Sequence, residues 1–407
     1  MNKPLGAWLI ILALAIPALA QSVAPDTTRL AVGGRVLAMG KAFVGLADDL
    51  PSIYTNPAGL ANLKQWALSS MSGTFMEDFS YLNVSGAYPT KYGVLGFGYA
   101  NAGIAGGYAT KIKSGAGTPN PVYEIDYSQP TIGYLNDVMI VSYANLLPVP
   151  RLPFELLAGA SLKFISSKLS GDGITNGTAS GNELDLGFLA KPAPWLSLGS
   201  TVQNLLPASL GGKITYASGH YESYPAIWEN GLAISLLGDD AALKSFRSQT
   251  LKLLLDFDYH PSRGNLPLTY HTGLEWQPMN MLYLRAGIDQ DVAGDGTGQS
   301  LSAISNFTAG VGLFISNVKF DYAYHQFAGI PGVTNNFFSL SYCPSVSKLK
   351  STTLVPPTPK TIAASPETIT RPATREASLA APSVIKPAAN KNAKKIKPAK
   401  TKKRKGK

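Results

Sequence analysis

The feature that most constrains the fold of this chain is an alternation of apolar with polar or small side chains. It recurs from residue 66 to residue 342. In one run, Leu251, Leu253, Leu255, Phe257 and Tyr259 alternate with Lys252, Leu254, Asp256, Asp258 and His260. A period of two residues is typical of a β-strand, because successive side chains point to opposite faces. The pattern therefore predicts an all-β chain.

Fifteen segments alternate clearly enough to be predicted as strands. They are 66–75, 79–88, 91–101, 127–135, 137–146, 154–167, 183–191, 195–204, 228–236, 249–259, 268–277, 281–288, 305–315, 318–326 and 335–342. At roughly 20 residues per strand and turn, however, the span from 66 to 342 accommodates about 14 strands. Bacterial membrane barrels have an even number of strands, so we expect one of the fifteen segments to be wrong or to be a loop.

The composition favours an antiparallel transmembrane β-barrel over a soluble β-sandwich. A sandwich usually has more Lys and Glu on its outer face than a chain with 15% charged residues provides. In a membrane barrel the apolar face meets lipid and the polar face lines the lumen. Aromatic residues at strand ends fit the interfacial belts of such a barrel: Tyr259, Trp276, Tyr324 and Tyr342. Long connections rich in Gly, Ser and Asn would be its extracellular loops, near 102–126, 168–182, 205–227 and 289–304.

Residues 1–20 have the features of a secretory signal peptide. Lys3 gives a positive start, Leu5 to Leu19 is an apolar stretch, and Ala18-Leu19-Ala20 is a small-x-small cleavage site. An uncleaved N-terminal anchor is the alternative. No later stretch approaches the roughly 20 apolar residues of a spanning helix. We therefore expect a barrel at residues 66–342, surrounded by outer-membrane lipid of a Gram-negative-type bacterium.

The C-terminal segment, residues 343–407, differs sharply from the rest of the chain. It has 16 Lys and Arg residues against two acids, and no aromatic residue follows Tyr342. Such a composition buries too little apolar area to offset the entropy of ordering, so we expect a disordered tail. An even strand count places both termini in the periplasm, where the tail could bind cell-wall polymer, anionic lipid or a protein, or be merely solvated. Because the leader directs export, no nucleic-acid partner is expected.

Residues 21–65 precede the barrel and do not alternate. The stretch 29–62 is rich in small residues, Asp48-Asp49 indicates a turn, and Asn56-Pro57 places Asn at a helix N-cap with Pro at the first helical position. This segment is too short to be a domain that spans a bilayer, and too apolar to be free in solvent. We expect it to be a small hatch, or plug, inside the barrel.

Short motifs in this segment resemble the N-terminal signature of the FadL superfamily, nearest its PorV/PorQ branch. They are Gly34-Arg35, Ala38-Met39-Gly40, Ala42-Phe43-Val44, Ala47-Asp48-Asp49 and Asn56-Pro57-Ala58-Gly59-Leu60. The resemblance implies a 14-stranded outer-membrane barrel whose hatch carries an Asn-Pro-Ala motif. The hatch motif residues are then Gly34, Arg35, Met39, Gly40, Asp48, Asp49, Asn56, Pro57, Ala58 and Gly59. Lys41 departs from the glycine that is usual at its position.

The resemblance also implies a function, the passage of hydrophobic or amphipathic small molecules such as long-chain fatty acids. In that case a hydrophobic ligand would contact Phe43, Val44, Leu46, Ile53 and Tyr54. The alternative is a PorV-like role, as an outer-membrane component of a protein secretion system that binds exported proteins. A third possibility is a structural barrel that is tethered to the cell wall.

The sequence has no pattern typical of an enzyme, a metal site or a cofactor site. The four histidines have no metal-ligand spacing, and one cysteine cannot form a cluster. Asp289, Asp291 and Asp295 could ligate calcium, although a hairpin loop is the better interpretation. Charged residues on the polar faces of strands line either a translocation path or a network that holds the plug: Lys252, Asp256, Asp258, His271, Glu275, Arg285 and Asp321. We expect no enzyme activity, no metal and no cofactor.

Overall fold

The structure is a computed structural model of the full chain. It describes residues 26–29, 32–75, 79–118, 121–150, 152–239, 241–246, 249–261, 263, 266–294, 301–328 and 334–344. The predicted signal peptide and almost all of the predicted basic tail lie outside these residues, so both stay predictions.

Fourteen long strands form the wall of a barrel. In chain order they are β1 (Ala67–Phe75), β2 (Phe79–Thr90), β3 (Gly93–Gly107), β4 (Ile132–Leu146), β5 (Glu155–Ser170), β6 (Thr178–Ala193), β7 (Leu196–Gln203), β8 (Ile227–Gly238), β9 (Thr250–Tyr259), β10 (Thr269–Met279), β11 (Leu282–Gly294), β12 (Leu301–Ile315), β13 (Val318–Gln326) and β14 (Thr334–Tyr342). Shorter strands lie in the connections, at Thr110–Ser114, Val122–Ile125, Lys213–Tyr216, Tyr221–Ser223 and Lys244–Ser245.

Each long strand pairs antiparallel with the next, and the last pairs with the first. The closing register of β1 and β14 runs from Leu68↔Tyr342 to Thr74↔Asn336. Closure leaves no free strand edge, so the backbone groups of the wall bond to one another around the ring. This confirms the prediction of an all-β antiparallel barrel of about 14 strands.

One of the fifteen predicted strand boundaries is wrong. Segments 127–135 and 137–146 are not two strands. Residues 132–146 form the single strand β4, which pairs without interruption with β5 from Gly133↔Ser170 to Leu146↔Leu157, and residues 127–131 lie in the connection before it. Asn136 and Asp137 resemble turn residues in sequence, but Asn136 is buried on the inner face. Asp137 accepts hydrogen bonds from the Tyr99 hydroxyl at 2.6 Å and the Asn101 amide at 2.7 Å. These partners on β3 hold Asp137 within a continuous strand.

The two rims of the barrel differ in the length of their connections. The described parts of the loop-rim connections are 108–118, 121–131, 171–177, 204–226, 260–261, 263, 266–268 and 327–328. At the terminal rim, where β1 begins and β14 ends, the described connections are 91–92, 147–150, 152–154, 194–195, 239, 241–246, 249, 280–281 and 316–317. The described parts of the predicted connections 102–126, 168–182 and 205–227 fall at the loop rim, although 102–107, 168–170 and 178–182 belong to strands β3, β5 and β6. In the fourth, 289–304, residues 289–294 and 301–304 belong to β11 and β12, and the rest lies outside the described residues.

The wall is apolar outside and mixed polar inside, as the alternation predicts. On β9, Leu253, Leu255 and Phe257 are exposed whereas Asp256 and Asp258 are buried. The exposed apolar side chains recur on strand after strand, among them Leu68, Phe97, Val141, Phe164, Phe188, Leu274, Phe307, Phe320 and Leu340. An apolar belt of this extent exceeds the patches that soluble monomers expose. In the described residues no helix is long and apolar enough to cross a membrane.

The N-terminal segment, residues 26–29 and 32–66, fills the inside of the wall. It contains short helical turns at Thr27–Arg29, Gly34–Leu37, Leu50–Ile53 and Pro57–Asn62. Asp49 caps the third turn, because its carboxylate accepts a hydrogen bond from the Leu50 amide. Asn56 caps the fourth turn, because its side-chain oxygen accepts a hydrogen bond from the Ala58 amide. Most of the segment is buried, including fully buried Val36, Ala38 and Leu60.

Inward-facing glycines on eight strands allow this segment to touch the wall with its backbone. A Cβ at Gly199 would lie 2.0 Å from the Val44 carbonyl oxygen, and a Cβ at Gly287 would lie 2.3 Å from the Gly40 nitrogen. Both distances are shorter than any side chain allows. We call these residues the glycine ring: Gly96, Gly98, Gly159, Gly187, Gly199, Gly231, Gly273, Gly287 and Gly310.

Replacing a ring glycine should displace the N-terminal segment or destabilise the barrel. Gly187→Ala places a Cβ 2.2 Å from the Asn56 Oδ1 atom. We expect a loss of about 1–3 kcal/mol in the free energy of unfolding, because overpacked interiors relax only partly. Thermal unfolding of the detergent-solubilised protein measures this loss. In the control Gly238→Ala, a Cβ has its nearest contact at 3.4 Å; equal melting temperatures for the two variants would contradict the close packing.

Candidate functional site: the N-terminal segment and the barrel lumen

Asn56 joins two parts of the N-terminal segment to the wall. Its Oδ1 accepts a hydrogen bond from the Ala58 amide at 3.2 Å, which begins the last helical turn. Its Nδ2 donates to the Val44 carbonyl at 3.0 Å and to the Phe188 carbonyl of β6 at 3.0 Å. A single buried amide therefore connects two bends of the segment and one strand.

The other predicted motif residues are also in the interior. Gly34 and Arg35 lie in the short α-helix, Met39 and Gly40 contact the glycine ring, and Pro57 and Ala58 lie against Gly159. Gly59 has no room for a side chain, since a Cβ there would be 2.2 Å from the Ala47 carbonyl oxygen. These contacts give the motif a structural role in shaping the segment.

Arg35 is the centre of a buried ion-pair network on the terminal-rim side of the glycine ring. Its guanidinium donates two hydrogen bonds to Glu275, at 2.8 and 2.7 Å, and one to Asp48, at 2.6 Å. Glu275 also accepts from Arg285 at 2.7 Å, and Arg285 donates to Asp321 at 2.7 Å. The network therefore joins the N-terminal segment to β10, β11 and β13.

Two lysines of the wall extend this network to the acidic pair of the N-terminal segment. Lys252 donates to Asp48 at 3.0 Å and Lys319 donates to Asp49 at 3.3 Å. Burial alone would raise the pKa of Asp49, but attraction to Lys319 and Arg35 outweighs it and holds the pKa below its ordinary value. Both aspartates are therefore anions that face wall cations.

On the loop-rim side of the glycine ring, carboxylates of the wall bind the N-terminal segment. Asp256 Oδ2 accepts hydrogen bonds from the Phe43 and Val44 amides, both at 2.6 Å. Arg29 forms ion pairs with Asp258 and with Glu229, the latter at 3.2 Å. Backbone amides and a cation from one segment thus meet acids on β8 and β9.

Lys41 is held in an uncommon backbone conformation by a second carboxylate. Its φ of 61° lies in the left-handed region, which favours glycine. The Lys41 ammonium lies 2.8 Å from Asp289 Oδ2. The departure from glycine at this position therefore adds an ion pair to β11 at the cost of backbone strain.

Two buried histidines connect the wall acids to each other. His271 lies between Asp258, at 3.3 Å, and Asp289, at 2.8 Å. His325 lies 2.8 Å from Asp289 on the other side. Asp289 and Asp291, predicted as possible calcium ligands, thus have cationic or histidine partners, and the part of the chain described contains no group of three acidic, His or Cys side chains that could hold a metal ion. The third candidate, Asp295, lies outside the described residues.

Asp26 belongs to a separate cluster near the loop rim. It lies 3.3 Å from the ammonium of Lys163, which also lies 2.9 Å from Asp185. Asn204 donates to Asp26 at 3.0 Å. Burial raises the pKa of Asp26, but attraction to Lys163 and hydrogen bonds from Thr28 and Asn204 lower it overall to about 2.

The five predicted ligand-contacting side chains all lie inside the barrel. Phe43 and Ile53 are fully buried, and the Tyr54 hydroxyl donates to the Val84 and Tyr99 carbonyls at 3.1 and 3.2 Å. Val44 and Tyr54 line a cavity of only 30 Å³, and Leu46 is 8% exposed. In this conformation the five side chains pack against protein, and their contact with a ligand stays a prediction.

The seven predicted lumen residues all point inward and are buried or half-buried. Five of them contact the N-terminal segment or its partners directly, namely Lys252, Asp256, Asp258, Glu275 and Arg285. His271 and Asp321 complete the two clusters. Of the two interpretations given to these residues, a network that holds the plug describes this conformation better.

Several charged residues of the site were missed by the sequence analysis. They are Asp26, Arg29, Lys41, Lys163, Glu183, Asp185, Glu229, Asp289 as an ion-pair partner, and His325. The wall members among them occupy the inward position of an alternating strand, so the parity of the alternation could have found them. No sequence signal marks Asp26 or Arg29, which precede the first motif.

Two cavities lie in this part of the lumen. The inner cavity of 30 Å³ borders Val44, Tyr54 and Asp256 and is large enough for about one or two water molecules. The vestibule is a cavity of 230 Å³ at the loop rim, bordered among others by Asp26, Asn204, His260 and Asp291. Arg29 and Asp258 line both cavities.

No protein-family model matches the sequence, and no curated protein matches it. Among solved structures, the chain is similar to the Ralstonia pickettii toluene transporter TbuX, with 14% identity, 77% of this chain and 98% of that chain covered, and a TM-score of 0.47. For the P. putida toluene transporter TodX the values are 13%, 76%, 98% and 0.47. For a Pseudomonas aeruginosa FadL homologue they are 11%, 79%, 99% and 0.44. At these identities and TM-scores, the likenesses assign neither a family nor a substrate to this chain.

Glu275→Gln should loosen the N-terminal segment, because it leaves the buried Arg35 and Arg285 with one anionic partner fewer. Breaking a buried pair in this way costs about 3–5 kcal/mol. The readout is maleimide labelling of Ser52→Cys, a buried position of the segment, in a background in which the exposed Cys343 is changed to Ser. We expect faster labelling in the Glu275→Gln variant than in the parent. The matched control is Glu155→Gln at the exposed end of β5; equal labelling of both variants would contradict the network's role.

Asp26→Asn should destabilise the protein in a manner that depends on pH. The Asp26 pKa is depressed from its ordinary value of 3.8 to about 2, so the ionised group stabilises the folded state above about pH 4. That contribution, about 2 kcal/mol, is lost as the pH falls toward 2. The difference in melting temperature between wild type and variant should therefore shrink between pH 5 and pH 2. A difference that is independent of pH would contradict the ion pair with Lys163.

Proposed function

We propose that the protein is an outer-membrane channel through which hydrophobic or amphipathic small molecules pass without chemical change. The observation that carries this proposal is a closed barrel with an apolar exterior, whose lumen is filled by a segment that is attached by noncovalent contacts. A purely structural barrel would not need a lumen segment with its own buried ion pairs. The resemblance of residues 34–60 to the FadL signature supports the same proposal.

The N-terminal segment would act as a hatch. In the present conformation the inner cavity of 30 Å³ is far too small for a hydrocarbon ligand. Passage therefore requires the segment to move away from part of the glycine ring. The side chains uncovered by such a movement would include the predicted ligand-contacting residues Phe43, Val44, Leu46, Ile53 and Tyr54, of which Val44 and Tyr54 already border the inner cavity.

The proposal places the terminal rim in the periplasm and the loop rim outside the cell. Short turns at one rim and long connections at the other are typical of outer-membrane barrels. A PorV-like role in protein secretion, and binding of cell-wall polymer or secreted proteins by the basic tail, stay predictions. Nothing in the contacts of the described residues favours either over a channel.

A reversible covalent tether tests whether the segment must move. A Cβ at Gly34 would lie 3.6 Å from the Cβ of Asp321, which is within the range for a disulfide. In the Cys343→Ser background, Gly34→Cys with Asp321→Cys should therefore cross-link the segment to β13. We expect oxidation to lower the uptake of radiolabelled toluene several-fold, and reduction to restore it, in cells that lack a hydrocarbon channel of their own.

The single variants Gly34→Cys and Asp321→Cys control for the substitutions, because neither can form the tether. Toluene is a suitable probe since it is small, apolar and uncharged. Uptake that never exceeds the level of cells without the protein, in any redox state, would contradict the channel. Uptake that is present but insensitive to the tether would contradict the role of the hatch alone.

A further inference from the structure

The vestibule is the cavity that a molecule would meet on its way from the loop rim toward the inner cavity. Its volume of 230 Å³ is enough for a small organic molecule, and it borders Pro225, Ile227 and Val292 as well as charged residues. The ion pair of Arg29 with Asp258 forms the boundary between vestibule and inner cavity, because both residues line both spaces. Any ligand moving inward must therefore pass these charges.

The charged groups around the vestibule are mostly anionic. Three aspartates line it, namely Asp26, Asp258 and Asp291, whereas Arg29 is the one Lys or Arg among the described lining residues. The fifth titratable residue is His260, for which burial and the nearby Arg29 lower the pKa, so that it is neutral at pH 7. The lining thus has two more negative than positive charges.

Each cation at or beside the vestibule already has carboxylate partners. The Arg29 guanidinium already bonds to two carboxylates, Asp258 and Glu229. Lys163 and Lys41, the neighbouring lysines, are paired with Asp26 and Asp289. A ligand carboxylate would therefore have to compete with these acids for the same cations. Asp291 lies 3.6 Å from the Lys41 ammonium, yet 38% of its side chain remains exposed.

We infer that the vestibule discriminates against carboxylate-bearing amphiphiles, so that the molecules which pass are uncharged. The inference rests on the proposed channel function and narrows its substrate class: a fatty acid in its ionised form is disfavoured and the corresponding alcohol or hydrocarbon is favoured. Like charges repel strongly in a partly desolvated cavity, where the effective dielectric constant is far below that of water.

Paired substrates of equal chain length test the inference. Uptake of radiolabelled 1-dodecanol and of dodecanoate at pH 7.5 is compared in cells with and without the protein, and only the protein-dependent part is counted. We expect dodecanol uptake to exceed dodecanoate uptake by at least about fivefold, the effect of roughly one kcal/mol of repulsion. Equal uptake, or a preference for dodecanoate, would overturn the inference.

Asp291→Asn is the variant that addresses the charge itself. It removes one negative charge and keeps an oxygen that can accept the hydrogen bond now donated by Asn306 at 2.7 Å. The ratio of dodecanoate to dodecanol uptake should rise about threefold. The matched control is Asp239→Asn, an exposed position in a connection of the terminal rim. An unchanged ratio in Asp291→Asn, or an equal rise in Asp239→Asn, would overturn the assignment to the vestibule.

The outcomes separate the inference from the function on which it rests. If neither dodecanol nor toluene enters in a protein-dependent manner, the channel itself is refuted and the inference falls with it. If dodecanol and dodecanoate enter equally well, the channel stands and only the selectivity is refuted.

Discussion

The contact on which the rest of this structure depends is that between the backbone of the N-terminal segment and the glycines of the barrel wall. Carbonyl and amide groups of Met39, Gly40 and Val44 lie where a wall side chain would have its Cβ. The ring positions occur in cross-strand pairs, such as Gly159↔Gly187, Gly199↔Gly231 and Gly273↔Gly287. The wall is therefore shaped for this segment, and the segment is a part of the fold.

Buried charges bind the same two parts together above and below the glycine ring. Arg35 pairs with Glu275 on the terminal-rim side, and Arg29 and Lys41 pair with Asp258 and Asp289 on the loop-rim side. Removal of the segment would leave several buried carboxylates with fewer cationic partners, which is costly in a desolvated interior. Water entering the lumen reduces that cost, so a partial movement of the segment is more accessible than its complete release. A gated channel needs a segment that closes the lumen when it is packed and that can move when water enters the lumen. The contacts of the N-terminal segment fit both requirements.

The alternation of side chains was sufficient to predict the barrel, its number of strands and the inward orientation of the charged residues. It failed at Asn136-Asp137, because a turn-forming residue can stay in a strand when a neighbouring strand supplies its hydrogen bonds, as β3 does for Asp137. The glycine ring could not be predicted from the alternation, because a small residue fits either face of an alternating strand and only the contacts of the folded protein show the close approach.

The pairing of the charges could not be predicted in the same way. Arg35 and Glu275 are 240 positions apart in the chain, and their meeting depends on the path of a segment without regular periodicity. The resemblance identifies the motif residues of the segment. It predicts neither the hydrogen bonds of Asn56 nor the ion pair that Lys41 forms at a position usually occupied by glycine. Binding of a ligand to Phe43 and its neighbours would require a conformation in which the N-terminal segment has moved. The packed conformation of the segment does not define that second conformation.

The N-terminal segment is packed inside the barrel as firmly as the wall itself. Hydrogen–deuterium exchange of the detergent-solubilised protein tests this packing most directly, at the Phe43 and Val44 amides that donate to Asp256. We expect protection close to that of the paired amides of β9, and a loss of protection in Asp256→Ala, which removes the acceptor, while the β9 amides stay protected. Exchange of the Phe43 and Val44 amides at the rate of an unstructured peptide in the wild-type protein would contradict it.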